Sequence, residues 1–446
     1  MKRFRLIIIL MIILCSISCK SKNNKDGNND LYDVVIVGAG LSGLSAAYNL
    51  KDKNIIILEK DSRVGGRIYD KTYKGINYSM GAHIGYHSIM TPKELSGQLQ
   101  MKKVNMPRGV FSNGKLYLGK TTLDAVASLL SEKEKEYFLK YRNGQIKFND
   151  FLKNIENFNK IGYEFGILME SYEDDPNLGY LMDLYYKDFN LIEYYKKILF
   201  DKIQTLSKVI LVESRDDFVE ITYLKNEKQY KVITRSVVVA TPADVSVRIV
   251  KDLPEKTIKF LSLIKYYGYG QLTLIFENHG QFVPFTYLQV LRNTLFLVYR
   301  HEIHGGKYVF YSLYYPEDFF VKNSENILDM SLKKLSELTI GNFTKKELIH
   351  HDIVIWENLF SNVSSETYEK FWDKEVLNPK KGIFIAGDYT MGGDSTSKLT
   401  SEMLMKKVEN NGMPGYEFLP YGVFQAWLSG VNSSNHVNKY LEDKRR

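Results

Sequence analysis

The stretch "VVIVGAGLSGLSAAYNL", Val34 to Leu50, constrains this chain more than any other. An apolar run from Tyr32 to Val37 reads as a strand buried on both faces, as in a parallel sheet. Three glycines follow, Gly38, Gly40 and Gly43, and then a helix with small residues on one side. Each glycine has a separate physical job. Gly38 allows the tight turn, Gly40 lets backbone approach a pyrophosphate, and Gly43 lets the helix lie close to the sheet. Ala46 and Ala47 extend the small face at helical spacing. The helix start offers unpaired N–H groups and the positive end of its dipole to phosphates. A second apolar run, Ile55 to Leu58, ends in Glu59. A carboxylate at that distance past the first glycine accepts both hydroxyls of an adenosine ribose. Strand, glycines, helix, strand and acid in register predict a dinucleotide-binding Rossmann unit. Gly38, Ala39, Gly40, Ser42, Gly43, Glu59 and Lys60 are its expected cofactor contacts.

The remaining sequence bounds the rest of the reading. The chain has 446 residues, enough for about two domains. Its net charge of +8 comes from Lys and Arg scattered along the whole chain. No basic stripe with interleaved aromatics occurs, so nucleic acid is not an expected partner. The N-terminus carries Lys2, Arg3 and Arg5 ahead of an apolar stretch from Leu6 to about Leu14, too short to span a bilayer comfortably. This has the shape of a secretory signal. It closes on "LCSISC" and is similar to a bacterial lipobox with Ser16 where Leu usually stands, which makes Cys19 the expected lipidation site. The polar run from Lys20 to Asp30 has nothing to bury and reads as a flexible tether. The expectation is an exported lipoprotein anchored to a membrane, with residues 1–19 as signal and 20–31 as tether. Cys15 and Cys19 are the only cysteines. A chain cleaved at Cys19 and lipidated there has no thiol left for a disulfide, a metal site or catalysis.

Past Glu59 the chain reads "EKDSRVGGR", with Gly65, Gly66 and Arg67. This continuation resembles the flavin-containing amine oxidase superfamily, in which a paired glycine and an arginine lie along the FAD diphosphate. Three later segments resemble the same family, in family order. "KVILVES" (Lys208 to Ser214) is similar to its adenine-contacting strand, with Val209 at the contact. "SVVVATPAD" (Ser236 to Asp244) is similar to the strand and turn that bring the chain back to the FAD domain. "GIFIAGDYT" (Gly382 to Thr390) is similar to the C-terminal strand whose acid, here Asp388, binds a ribityl hydroxyl. The resemblance implies FAD, contacted also by Gly66, Arg67, Gly81, Ala82 and His83, and oxidation of a small molecule; with no cysteine after Cys19 to attach it, the FAD is expected to be held non-covalently. The fold class it implies is α/β, a Rossmann-like FAD-binding domain with an interleaved α+β substrate domain. The FAD domain is expected over 32–84, 200–250 and 375–446, the substrate domain over 85–199 and 251–374. Residues 85–200 read as mostly helical, and 255–370 contain strand-like runs such as "YGQLTLIF" and "KYVFYSLYY".

Departures from the family sharpen the expectation. Where its amine oxidases place a lysine facing the flavin, this chain has Gly270 or Gln271 in "KYYGYGQLTLIF", and Lys265 comes several residues early. Relatives acting on carbon–carbon bonds also lack that lysine. A long insertion separates Asp388 from "FQAWLSG" (Phe424 to Gly430), which is similar to the family helix beneath the flavin. It is long enough for a lid or a surface excursion. "YSMGAHIGYH" (Tyr78 to His87) falls where the family chain passes the flavin ring, and Gly81-Ala82-His83 also resembles UDP-galactopyranose mutases. His83 is the candidate catalytic residue, either moving a proton or only packing on the ring. His350-His351 and His301…His304 lack metal-ligand spacing, and no metal site is expected. Between residues 85 and 200 the arginines are Arg108 and Arg142, few for gripping a sugar-nucleotide diphosphate. The same segment's Tyr, Phe and Leu suit a substrate with apolar surface. The expected activity is hydride abstraction from an amine or a C–C unit, with a mutase-like flavoenzyme and a non-catalytic flavin-binding lipoprotein as alternatives.

Overall fold

The computed structural model describes residues 31–82, 108–112, 115–119, 130–142, 145–146, 154, 191–279, 287–290, 296–303, 307–338, 343–362, 370–371, 374–390 and 423–444. His83, Cys19, the N-terminal signal, the tether as far as Asp30, and the insertion after Thr390 lie outside these residues.

The first sheet begins as the apolar runs require. β1 (Tyr32–Val37) and β2 (Ile55–Leu58) pair in parallel, Val34 against Ile55 through Val37 against Leu58. α1 (Leu41–Asn49) crosses between them. The sheet order is β7-β2-β1-β10-β9-β8, with β7 (Ile203–Gln204), β8 (Ser207–Ser214), β9 (Val219–Lys225) and β10 (Lys228–Val239). β10 runs twelve residues and serves two neighbours along one edge. Its first half pairs antiparallel with β9, and Val237–Val239 pairs in parallel with β16 (Ile383–Ile385). The chain therefore leaves this sheet after Leu58, returns at Ile203, and returns again at Ile383.

Alternation along β1 assigns the two faces. Val34 and Ile36 pack with α1, α3 (Leu191–Ile198) and α9 (Val423–Asp443). Val35 and Val37 pack with Val209, Val212, Phe260 and Leu261, beneath α4 (Ala243–Ile249) and α5 (Glu255–Leu263). Both faces are covered, which explains the unbroken apolar strand. α3 and α5 belong to this core, although the sequence reading put them in the second domain. Their apolar faces are buried in the two clusters that flank this sheet, which domain-level composition does not record.

The second sheet runs β15-β11-β14-β13-β12-β5-β6. It comprises β5 (Arg108–Ser112), β6 (Lys115–Gly119), β11 (Lys265–Glu277), β12 (Tyr287–Val290), β13 (Phe296–Ile303), β14 (Tyr308–Pro316) and β15 (Leu348–Asn362). β5 and β6 correct the sequence reading, which took residues 85–200 as mostly helical. The two strands are five residues each and gain stability by extending a sheet built from distant sequence. α2 (Glu132–Arg142) is helical as expected. On one face, Leu272, Leu274 and Phe276 of β11 pack with α6 (Glu317–Lys322) and α7 (Ile327–Leu338). On the other, Ile275 and Phe310 meet Tyr78 and Met80. Those two residues belong to or follow a hairpin, β3 (Asp70–Tyr73) and β4 (Ile76–Ser79), which hangs from the first domain. The single-turn helix α8 (Lys374–Leu377) leads back to β16. Among the described residues no helix is long and apolar enough to cross a membrane.

Candidate cofactor and active site

The glycine turn has the backbone that its sequence demands. Gly38 sits at φ +100, a region L side chains rarely adopt, and a Cβ there would lie 2.7 Å from the Ala240 carbonyl oxygen. A Cβ on Gly43 would collide with the Gly38 carbonyl, so only glycine lets α1 descend onto the turn. Among the described residues, the close neighbour of a Cβ added at Gly40 would be the Gly66 Cα, at 4.0 Å. Gly40 and Gly65 form a bridge, and the Gly65 N–H donates to the Ala39 carbonyl at 2.8 Å. The two glycine segments, separated in sequence by α1 and β2, thus make one side-chain-free cradle in front of the α1 N-terminus. No acidic side chain occupies the first turn of α1, and no described side chain caps it, so its N–H groups face the cradle.

Glu59 lies at the end of β2 and is 6% exposed. Its Oε2 accepts the Ala39 N–H at 2.7 Å and its Oε1 accepts the Asp61 N–H at 2.9 Å. Burial raises its pKa above the usual carboxylate value, opposed by these two N–H bonds. A carboxylate offers about four lone-pair sites, so each oxygen retains capacity for a ribose hydroxyl. The Ser207 N–H donates to the Glu59 carbonyl at 2.7 Å. That bond ties the start of β8, and buried Val209 just beyond it, to the same turn. Lys60 is exposed and faces Asp61 at 3.7 Å. Ser42 is buried in the first turn of α1.

Arg67 and Asp388 meet directly. The guanidinium donates to both carboxylate oxygens, at 2.8 and 2.7 Å. Asp388 also accepts the Ser361 hydroxyl at 2.9 Å. The sequence reading gave Arg67 to the diphosphate and Asp388 to the ribityl chain, and the structure adds the pairing between them. The Ala82 N–H donates to the Arg67 carbonyl at 2.9 Å, placing Gly81 and Ala82 alongside. A Cβ on Gly81 would collide with that same carbonyl, so the strand passes here only as glycine. Tyr389 donates to the Thr241 carbonyl at 2.7 Å, and Tyr266 accepts the Ala243 N–H at 2.7 Å. "GDYT", "ATPAD" and the start of β11 therefore converge on the Arg67–Asp388 pair.

The structure decides between Gly270 and Gln271. A Cβ on Gly270 would run into the Phe320 ring of α6, on the far face of the sheet. Gln271 points the other way and is fully buried. Its amide donates to the Ser79 carbonyl at 2.9 Å, while its Oε1 has no partner among the described residues. Lys265 is exposed at the strand's start. Of the paired histidines, His301 lies on β13, His351 is exposed on β15, and His350 is half-buried and bonded to Asp352. Sequence reading missed Ser361, Tyr266, Trp356 and Asp352. None stands in a local pattern; each acquires its partner only through strand register.

Residues 36–91 match the family of NAD(P)-binding Rossmann-like domains. Amine oxidase [flavin-containing] A from Equus caballus is 37% identical over 94 residues, 20% of this chain and 18% of that protein. Protoporphyrinogen oxidase 2 from Arabidopsis thaliana is 44% identical over 52 residues, 11% of this chain and 10% of that protein. These matched stretches span less than a fifth of either relative. The solved structure of cyclohexylamine oxidase from Brevibacterium oxydans superposes with a TM-score of 0.62, covering 92% of this chain and 99% of that one at 14% identity. The chain has the flavin amine oxidase fold. Within that fold the glycine cradle, Glu59 and the Arg67–Asp388 pair line one continuous path from β2 to the second sheet. The residues present fit FAD: a backbone gap for a diphosphate, a buried carboxylate for a ribose, and a second buried acid further along for a hydroxylated chain.

Proposed function

We propose that the protein is a FAD-dependent oxidoreductase acting on a small organic molecule with apolar surface. The Arg67–Asp388 pair carries this reading. A nucleotide held by one turn needs one supersecondary unit, whereas here an acid that follows the last strand is delivered to the arginine that follows the second. That arrangement serves a ligand longer than a mononucleotide. When bound, FAD would accept a hydride from a C–H next to an amine or in a C–C unit. The chain's own part is binding and orientation: Gly40, Gly65 and Gly66 admit the diphosphate, Glu59 accepts the ribose, and the second sheet covers the reacting end.

Gln271 bears on the substrate. A neutral amide neither carries a charge nor moves a proton, so it orients rather than titrates. This favours oxidation that needs no lysine, and amines and C–C units both stay within the proposal. The enzymes of similar fold or sequence are named for cyclohexylamine and for protoporphyrinogen, one from each class. The test is anaerobic mixing of the FAD-loaded protein with hydrophobic amines and with polyene-like or porphyrinogen-like compounds. Bleaching of the flavin band by a member of one class is expected. Absence of bleaching by all, with dithionite still reducing the flavin, would favour a non-catalytic flavoprotein.

We also propose that the protein is exported and lipid-tethered through Cys19, on the strength of the basic start, the short apolar run and "LCSISC". Acyl labelling should be abolished by Cys19→Ala. Labelling that survives the change would refute the tether.

A further inference from the structure

β15 touches the first domain at three levels. At one end, Ser361 donates to Asp388. In the middle, the Trp356 indole N–H donates to the Met80 carbonyl at 2.8 Å, and its ring meets Tyr69 edge-on at 6.4 Å. At the outer end, Asp352 gathers three groups. Lys71 reaches Oδ1 at 2.5 Å, His350 Nε2 lies 2.9 Å from Oδ2, and the Tyr78 hydroxyl donates to that same oxygen. Tyr73 stacks on the His350 ring at 3.9 Å. Lys71, Tyr73 and Tyr78 all belong to the β3–β4 hairpin, and His350 and Asp352 to the second sheet.

That hairpin has four residues per strand and forms a two-stranded sheet of its own. An isolated pair of this size is marginally stable in water, so its place is set by what it docks against. Its ladder runs on past the strands. The Met80 N–H donates to the Tyr69 carbonyl and the Ala82 N–H to the Arg67 carbonyl. The base of the hairpin is thus the Arg67 and Gly81–Ala82 segment of the proposed flavin site. Its outer part is held by a half-buried carboxylate on the other domain.

We propose that Asp352 is a positioning residue for the flavin site: by clamping Lys71 and Tyr78 onto β15 it sets the path of the Arg67–Ala82 ladder. Asp352 stands roughly 30 Å from Ser361 along an extended strand, so the carboxylate acts through backbone and not by contact with cofactor. Bonds to an ionised acceptor are the stronger class, and here they join two domains, where one lost anchor shifts a whole hairpin. Two neutral hydrogen bonds, Trp356 to Met80 and Gln271 to Ser79, dock it nearer the base, beside the apolar packing of Tyr78 and Met80 on Ile275 and Phe310. Asp352 therefore controls the outer lever arm of the ladder. The part played toward the flavin rests on the function proposed above; the part played toward the ladder does not.

The experiment is hydrogen exchange, read by mass spectrometry on the full chain with and without FAD, for wild type, Asp352→Asn and Tyr78→Phe. Both variants should speed exchange of the Met80 and Ala82 amides by about tenfold or more, with β10 and α9 unchanged. In the FAD-loaded variants the flavin absorption band should shift. Exchange that rises equally throughout the protein would mark a merely structural residue and overturn the proposal, as would no change at 80–82. Tyr78→Phe removes one bond without opening a cavity and carries the test if Asp352→Asn does not fold. Wild-type protein that binds no FAD, with faster exchange at 80–82 in the variants, would defeat the flavin reading and leave the positioning role of Asp352 standing.

Discussion

The Arg67 guanidinium forks onto the Asp388 carboxylate with two hydrogen bonds of 2.8 and 2.7 Å, across a sequence separation of 321 residues. Asp388 is almost wholly buried in the pair, and Arg67 keeps about a third of its side-chain surface. Arg67→Ala would leave a buried carboxylate with Ser361 as its remaining side-chain donor among the described residues. Breaking a buried pair costs about 3–5 kcal/mol, and the partial exposure of Arg67 places this one at the low end. Urea unfolding of the cofactor-free protein should show the loss. Arg67→Lys should recover little of it, since an ammonium lacks the planar fork. Full recovery by lysine would show that geometry is unimportant at this pair.

The protein lacking residues 1–30 should purify yellow with FAD. Glu59→Ala should weaken FAD retention by about 1.5–3 kcal/mol, the range for hydrogen bonds to a charged group. Acid precipitation should release the flavin, because no cysteine follows Cys19 in the sequence. Wild-type FAD content in Glu59→Ala would defeat the ribose assignment.

Gly430 on α9 packs directly on α1. An added Cβ would collide with the Ser42 carbonyl and lie 2.7 Å from the Ser45 hydroxyl, which itself donates to the Trp427 carbonyl. Gly430→Ala must push two helices apart, at about 1–3 kcal/mol for an overpacked contact. A lowered melting temperature together with weaker FAD binding is the expected pair of results, because Ser42 belongs to the turn proposed above to hold the diphosphate. An unchanged melting temperature would show that the helices separate freely.

The Asp352 carboxylate is pushed up by burial, but its bonds from Lys71, Tyr78 and His350 outweigh this and hold its pKa below the ordinary 3.8. Tyr69 and Tyr73 are further titratable groups on the facing hairpin side. The sign follows from linkage: a folded-state pKa below the unfolded one gives stability that is complete above about pH 3.8 and is lost as pH falls through the folded value. The stability gap between wild type and Asp352→Asn should be constant from about pH 7 down to about pH 4 and close below it. A gap that persists unchanged at lower pH would show that the ionised carboxylate is not what clamps the hairpin.

The sequence by itself determined the nucleotide half of this molecule. β1, the Gly38–Gly43 turn, α1, β2 and Glu59 form a local unit in which each step follows from its neighbours. Gly38 needs a positive φ, Gly43 must touch backbone, and a strand buried on both faces is apolar throughout. Such constraints act within one supersecondary unit and leave their mark in order. The returning strands around Val209, Ser236 and Ile383 were legible through their resemblance to segments of the flavin-containing amine oxidases, although the strand of Val209 joins the sheet antiparallel. Tertiary structure alone decided the rest. Gln271, and not Gly270, faces the first domain because strand alternation and the Phe320 ring fix which side each residue takes. β5 and β6 exist because a sheet edge built from much later sequence, at Leu288 to Val290, offers them partners. Ser361, Trp356 and Asp352 became site residues through the register of one long strand. A carboxylate or a hydroxyl has no preferred partner until folding brings one within about 3 Å, and these partners lie far away in the chain.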